Sequence, residues 1–166
     1  FRESTLPLVS IKTPAGGARF TNNLANFTGT ASDASGLDRV EYSLNGSNFQ
    51  SVTGTTNWSM AVNLTAGTNV FRVRSVDKAG NVSSIATRSV FYSVTSQLSL
   101  WLAGKGTVSG VTNGQHLEIG RAYKVTATPA AGNLFLEWTG DRYSMSNSLT
   151  FLMQTNMYLQ ANFVTN

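Results

Sequence analysis

Apolar and polar residues alternate in short runs along this chain, and Gly, Asn, Asp or Pro interrupts them roughly every eight to twelve residues. Period-two alternation puts successive side chains on opposite faces of an extended backbone, so the pattern predicts half-buried strands and no helix. In the first half the predicted strands are Leu8 to Lys12, Asn26 to Ala31, Asp38 to Leu44, Trp58 to Leu64, Asn69 to Val76 and Ala86 to Val94. In the second half they are Leu98 to Leu102, Gly106 to Val108, Gln115 to Ile119, Tyr123 to Thr128, Leu134 to Trp138, Leu149 to Met153 and Tyr158 to Phe163. Short strands at this spacing belong to sandwiches or barrels. The polar stretch Val94-Thr95-Ser96-Gln97 separates two such sets. It divides the chain into a segment 8–94 and a segment 98–164, with residues 1–7 as an extension or linker.

Asn45-Gly46 is the strongest turn signal, because both residues accept the positive φ of a type I′ hairpin turn. In the preceding strand, alternation points Val40, Tyr42 and Leu44 inward and Arg39, Glu41 and Ser43 to water. Asn69 to Val76 places Phe71 and Val73 on one face and Arg72 and Arg74 on the other. If the two strands are neighbours, Arg72 or Arg74 faces Glu41 as an exposed cross-strand ion pair.

Composition narrows the class. Only 12% of the residues are charged, about half the usual ~25% of soluble domains. Ser, Thr and Asn make up about a third of the chain, so its polarity comes from hydroxyls and amides. Aromatic residues at 10% and frequent β-branched residues exclude a disordered chain. The formal charge of +4 is spread along the sequence without a basic run, which argues against nucleic acid as a partner. A modest attraction to an acidic polysaccharide or surface is compatible with it. Cysteine is absent, which removes disulfides, thiolate metal sites and Cys nucleophiles, and suits a bacterial exported protein. The chain begins at Phe1 rather than Met, as a processed or excised piece would, and no apolar run is long enough to span a bilayer.

Reaction chemistry finds little footing. His116 is the single histidine, in Gln115-His116-Leu117-Glu118-Ile119, where Leu117 and Ile119 point inward and His116 is left in solvent beside Glu118. Glu137 and Asp141 are the nearest approach to a glycosidase carboxylate pair, but Glu137 is expected in water and Asp141 at a turn. Asp33, Asp38, Asp77 and Asn81 could supply oxygens to a cation, yet calcium wants six to eight, and Asp77 with Asn81 more simply closes a turn. No catalytic residue, metal site or cofactor is expected.

Several blocks of sequence resemble known modules. Gly106-Thr107-Val108, Val125-Thr126-Ala127-Thr128-Pro129, Gly132 with Phe135, Trp138-Thr139-Gly140-Asp141, Phe151-Leu152-Met153 and Leu159-Gln160-Ala161-Asn162-Phe163 follow one another as in the divergent internalin-type B-repeat, a small β-grasp-like module. Asn133-Leu134 departs from that pattern, which often has an aromatic directly after the glycine. The first half resembles a bacterial immunoglobulin-like domain through Gly29-Thr30-Ala31-Ser32-Asp33 with Gly36, Val40 to Gly46, Trp58-Ser59, Leu64 to Asn69 and Ser75 to Asn81. The resemblance implies an all-β chain: an immunoglobulin-like β-sandwich followed by a small β-grasp-like domain. It further implies a non-catalytic, extracellular or cell-surface bacterial module with a structural or adhesive role, its partners being other domains of a larger exported protein.

Two other roles fit the same residues. One is a carbohydrate-binding accessory module of a secreted glycan-degrading enzyme, contacting cell-surface or matrix polysaccharide. Trp58 and Trp138 fall where the two families pack a core aromatic, whereas Trp101 alternates away from Leu98, Leu100 and Leu102 and is the candidate for an exposed or interdomain ring. Arg142 and Tyr143, on the loop after Gly140-Asp141, join Trp101 as candidate ligand contacts. The other role is a fibre subunit that joins identical subunits through Phe1, Leu6 and Pro7, by adding a strand to a neighbour.

Overall fold

A computed structural model describes residues 4–166, so Phe1 lies outside the described residues. The chain is all-β and forms two compact units, the first running to Ser93 and the second from Val94 to Asn166.

The first unit contains β1 (Leu8–Thr13), β2 (Arg19–Phe20), β3 (Leu24–Ser32), β4 (Leu37–Leu44), β5 (Gln50–Ser51), β6 (Thr53–Gly54), β7 (Asn57–Asn63), β8 (Gly67–Asp77) and β9 (Ala86–Tyr92). They make two sheets, one of order β1-β3-β7-β6 and one of order β2-β9-β8-β4-β5. Every strand expected in this half is present. The two-residue strands β2, β5 and β6 are additions too short to leave a period. The alternating inward residues of both sheets meet in one core that includes Phe27, Val40, Trp58, Phe71, Val73 and Val90. Phe27 and Phe71 stack with ring centroids 4.1 Å apart, and Tyr42 and Trp58 stack on Phe71 at 5.5 and 6.2 Å. Gly29 is required by this stack, since a Cβ there would lie 2.3 Å from the Trp58 ring and 2.0 Å from the Ser10 carbonyl oxygen. Asn45 and Gly46 have φ of 52° and 82°, the turn expected.

Of the outward residues of β4, Arg39 is exposed as expected and the other two depart from expectation. Glu41 and Ser43 are buried, not solvated. Glu41 pairs in register with Arg74, whose Nε donates to Oε2 at 2.8 Å, while Arg39 Nε donates to Oε1 at 2.7 Å. The Arg74 guanidinium in turn lies 4.0 Å from the centroid of Phe49, a ring that roofs this side of the sheet. Ser43 donates to the carbonyl of Ser47 at 2.6 Å. The cross-strand ion pair exists, but its carboxylate is covered.

The second unit contains β10 (Thr95–Gln97), β11 (Ser99–Ala103), β12 (Gly106–Ser109), β13 (His116–Glu118), β14 (Ala122–Pro129), β15 (Asn133–Gly140), β16 (Ser148–Leu152) and β17 (Tyr158–Thr165). Three sheets result, of order β11-β17-β15, β12-β14-β16 and β10-β13. Thr95–Gln97, read from sequence as a boundary stretch, pairs with β13 within this unit. The core gathers Leu98, Leu100, Trp138, Phe151, Met153, Leu159 and Phe163 among others. Phe135 packs on Trp138 and Phe163 at 5.9 and 5.8 Å, so an aromatic one position beyond Leu134 packs, partly buried, against the core, and Leu134 itself is exposed.

Candidate functional site

The sheet β11-β17-β15 buries one face and leaves the other open. Strand β17 lies in the middle, parallel to β11 and antiparallel to β15. Its sequence Tyr158-Leu159-Gln160-Ala161-Asn162-Phe163 sends Leu159, Ala161 and Phe163 into the core. Tyr158, Gln160 and Asn162 therefore project to the opposite side. Register then fixes their neighbours: Trp101, Gln160 and Thr139 form one row across the sheet, and Ala103, Asn162 and Glu137 the next. Tyr158 pairs with Ser99.

Along this face the side chains bind one another. The Tyr158 hydroxyl donates to Gln160 Oε1, Gln160 Nε2 donates to Asn162 Oδ1 at 2.8 Å, and Asn162 Nδ2 donates to Thr139 Oγ1 at 3.0 Å. Trp101 stands beside this ladder, 59% exposed. From the strand offsets its Cα is about 8 Å from that of Tyr158. A bulge between Phe135 and Glu137 keeps Glu137 on the same face as Asn162, although the core residue Phe135 lies only two positions away.

Tyr143 comes to this face through Glu137. Desolvation first, then a hydrogen bond to Glu137 and the negative charge of that carboxylate, raise the Tyr143 phenol above its ordinary value. Glu137 faces outward as expected, and it is half-buried there rather than fully solvated. Arg142 is turned to its own loop, with Nη1 donating to the Asp141 carbonyl at 2.7 Å. Asp141 Oδ2 accepts from the Tyr158 backbone N–H at 2.7 Å, which anchors the loop to the start of β17. Of the three sequence candidates, Trp101 and Tyr143 belong to the face and Arg142 flanks it. Tyr158, Gln160, Asn162 and Thr139 were not singled out from sequence. The signal was present: every outward position of β17 from 158 to 162 carries an aromatic or an amide.

Leu102 was expected inward, but it is 44% exposed because β11 is an edge strand. Elsewhere, His116 is exposed, and the neighbouring Glu118 pairs with Arg121 at 3.2 Å. Asp77 is buried and closes its turn: Oδ1 accepts from the backbone N–H of Ala79 and Asn81, both at 2.8 Å, and Oδ2 from Asn81 Nδ2 at 2.7 Å. Burial pushes this carboxyl up, and those hydrogen bonds bring it below its ordinary value. Among the described residues no three His, Cys, Asp or Glu side chains gather as a metal would require. Of the assembly candidates, Leu6 is exposed, while Pro7 is buried in the first unit and the Thr5 carbonyl accepts from Asn81 Nδ2 at 3.5 Å. Those contacts tie Thr5 and Pro7 to their own domain.

The family model described as a bacterial Ig domain matches residues 7–73, and the one described as a divergent InlB B-repeat domain matches residues 97–166. The chain is a bacterial Ig domain followed by a divergent B-repeat domain. The open face lies wholly in the B-repeat domain, and the covered ion pairs lie in the Ig domain. Both domain types are typically non-catalytic and typical of exported or surface proteins. Among solved structures, the fibronectin(III)-like modules of Clostridium thermocellum CbhA are similar at 20% identity and a TM-score of 0.46, over 51% of this chain and 96% of that one. The SrpA adhesin of Streptococcus sanguinis is similar at 12% identity and a TM-score of 0.41, over 90% of this chain and 94% of that one. A polysaccharide deacetylase from Bacillus cereus is similar at 11% identity and a TM-score of 0.41, over 60% of this chain but only 34% of the deacetylase. No curated protein matches the chain.

Proposed function

We propose that the chain is a non-catalytic, adhesive segment of a larger exported bacterial protein, with the Ig domain as a structural module and the B-repeat domain as the contacting one. The observation that carries this reading is the open face of β11-β17-β15. Its polar side chains form an ordered ladder, and the large apolar surface of Trp101 stands in water. Leu134 and Val164 are also exposed on the outward side of this sheet, so the face pairs apolar surface with a row of polar side chains, the two things a contact surface needs.

The test is retention of the labelled chain on defined surfaces: insoluble polysaccharides, purified matrix proteins and whole bacterial cells. Adhesion to at least one is expected. It should fall about tenfold in Trp101→Ala, while the thermal transition of the variant stays in place. Failure to adhere to any of them, or adhesion indifferent to Trp101→Ala, would overturn the reading.

A further inference from the structure

Resting on that reading, we infer that the open face of the B-repeat domain takes a neutral, insoluble polysaccharide. A pyranose ring offers apolar C–H faces and a rim of hydroxyls that both donate and accept. The β11-β17-β15 face offers the complement of each. Trp101 supplies an apolar plane at one edge, with the Tyr158 ring diagonal to it across the strand pair. Between them and Thr139 run the amides of Gln160 and Asn162. An amide nitrogen carries two donors and an amide oxygen two acceptor sites. The ladder uses one hydrogen of Gln160 Nε2 and one acceptor site on each amide oxygen, so the face keeps both kinds of partner for a hydroxyl.

Charge decides between glycan classes. The chain as a whole is basic, at +4, which favours an acidic partner. Locally that excess is absent: Glu137 is the ionisable carboxyl that register brings onto the face, and the flanking Arg142 is turned to the Asp141 carbonyl of its own loop. A uronate or phosphate-bearing chain laid on β17 meets the Glu137 carboxylate, while the flanking Arg142 is engaged with its own loop, so the approach costs binding. A neutral chain meets no such penalty. The surface is an open sheet three strands wide rather than a cleft, so it suits the face of an ordered, insoluble polymer.

The experiment is depletion of the full chain by insoluble neutral glucans and chitin, by acidic gels of alginate and pectate, and by protein-coated beads, at low and high salt. Binding to at least one neutral polymer is expected. It should change little with salt, weaken about tenfold in Trp101→Ala and severalfold in Gln160→Ala, and both variants should melt as the parent does. Binding confined to acidic gels and abolished by salt would overturn the inference. Binding to protein-coated beads alone, lost in Trp101→Ala, would overturn it while leaving the adhesive reading intact. No binding to any surface would remove both.

Discussion

Two outward sheet faces of this chain treat their polar residues in opposite ways. On the β4-β8 face of the Ig domain, charges from neighbouring strands neutralise one another: Glu41 is gripped by Arg39 and Arg74, and Phe49 covers Arg74. On the β11-β17-β15 face of the B-repeat domain, uncharged amides and hydroxyls bond to one another and the neighbouring aromatic is left bare. Strand alternation alone assigns both sets to solvent. What separates them is charge and cover: Phe49 lies over the Arg74 guanidinium on the first face, whereas Trp101 on the second stands in water. The first face is therefore spent on folding, and the second remains free for contact.

Substitutions that remove a core aromatic set the upper end of this contrast. Phe71→Ala should destabilise the Ig domain, and Trp138→Ala the B-repeat domain, each by about 3–5 kcal/mol. Both rings are fully buried. Calorimetry should show each variant lowering its own domain's transition; one shared shift for both variants would contradict separate cores.

Glu41→Ala should come next, at about 1–3 kcal/mol, because it strips Arg74 of its covered partner and leaves Arg39 with Asp38 alone. Gln160→Ala on the open face should cost no more than about 0.5 kcal/mol. Equal losses in urea titrations would erase the distinction between the two faces.

Acid should separate the domains in the same direction. Burial pushes the Glu41 carboxyl up, but hydrogen bonds from Arg39 and Arg74 and their charges outweigh it and hold it below its ordinary value. A carboxylate lowered on folding stabilises above its unfolded pKa, near ~4.3, and that contribution is lost as pH falls through the lower folded value. The Ig domain should weaken across this window, and Glu41→Gln should flatten that part of the profile. An unchanged slope in Glu41→Gln would show that the pair contributes nothing.

The smallest effect belongs to Tyr143. Since Glu137 raises its phenol, Glu137→Gln should lower the alkaline titration of Tyr143, read from phenolate absorbance against a Tyr143→Phe control.

Much of the architecture was legible because alternation and turn chemistry are local. The longer strands and the Asn45-Gly46 turn follow from residues within a few positions, and the burial of Trp58 and Trp138 follows from the family resemblance. The ring against Arg74 was not legible, because Phe49 reaches it from beyond the hairpin turn. The site was half legible. Trp101 declared itself by falling out of phase with three leucines, but its companions depend on the parallel pairing of β11 with β17, which joins residues almost sixty positions apart. A bulge at Leu136 further shifts the phase of β15, so Glu137 could not be assigned to the face by counting from Phe135.

The ladder from Tyr158 to Thr139 has a consequence for the entropy of encounter. Free glutamine and asparagine side chains sample many rotamers, and fixing each on binding costs about 0.5–1.5 kcal/mol. Here Gln160 and Asn162 are already held by their neighbours before any partner arrives. Folding has absorbed that ordering in advance, so a weak contact repeated over many copies of the module starts without this loss.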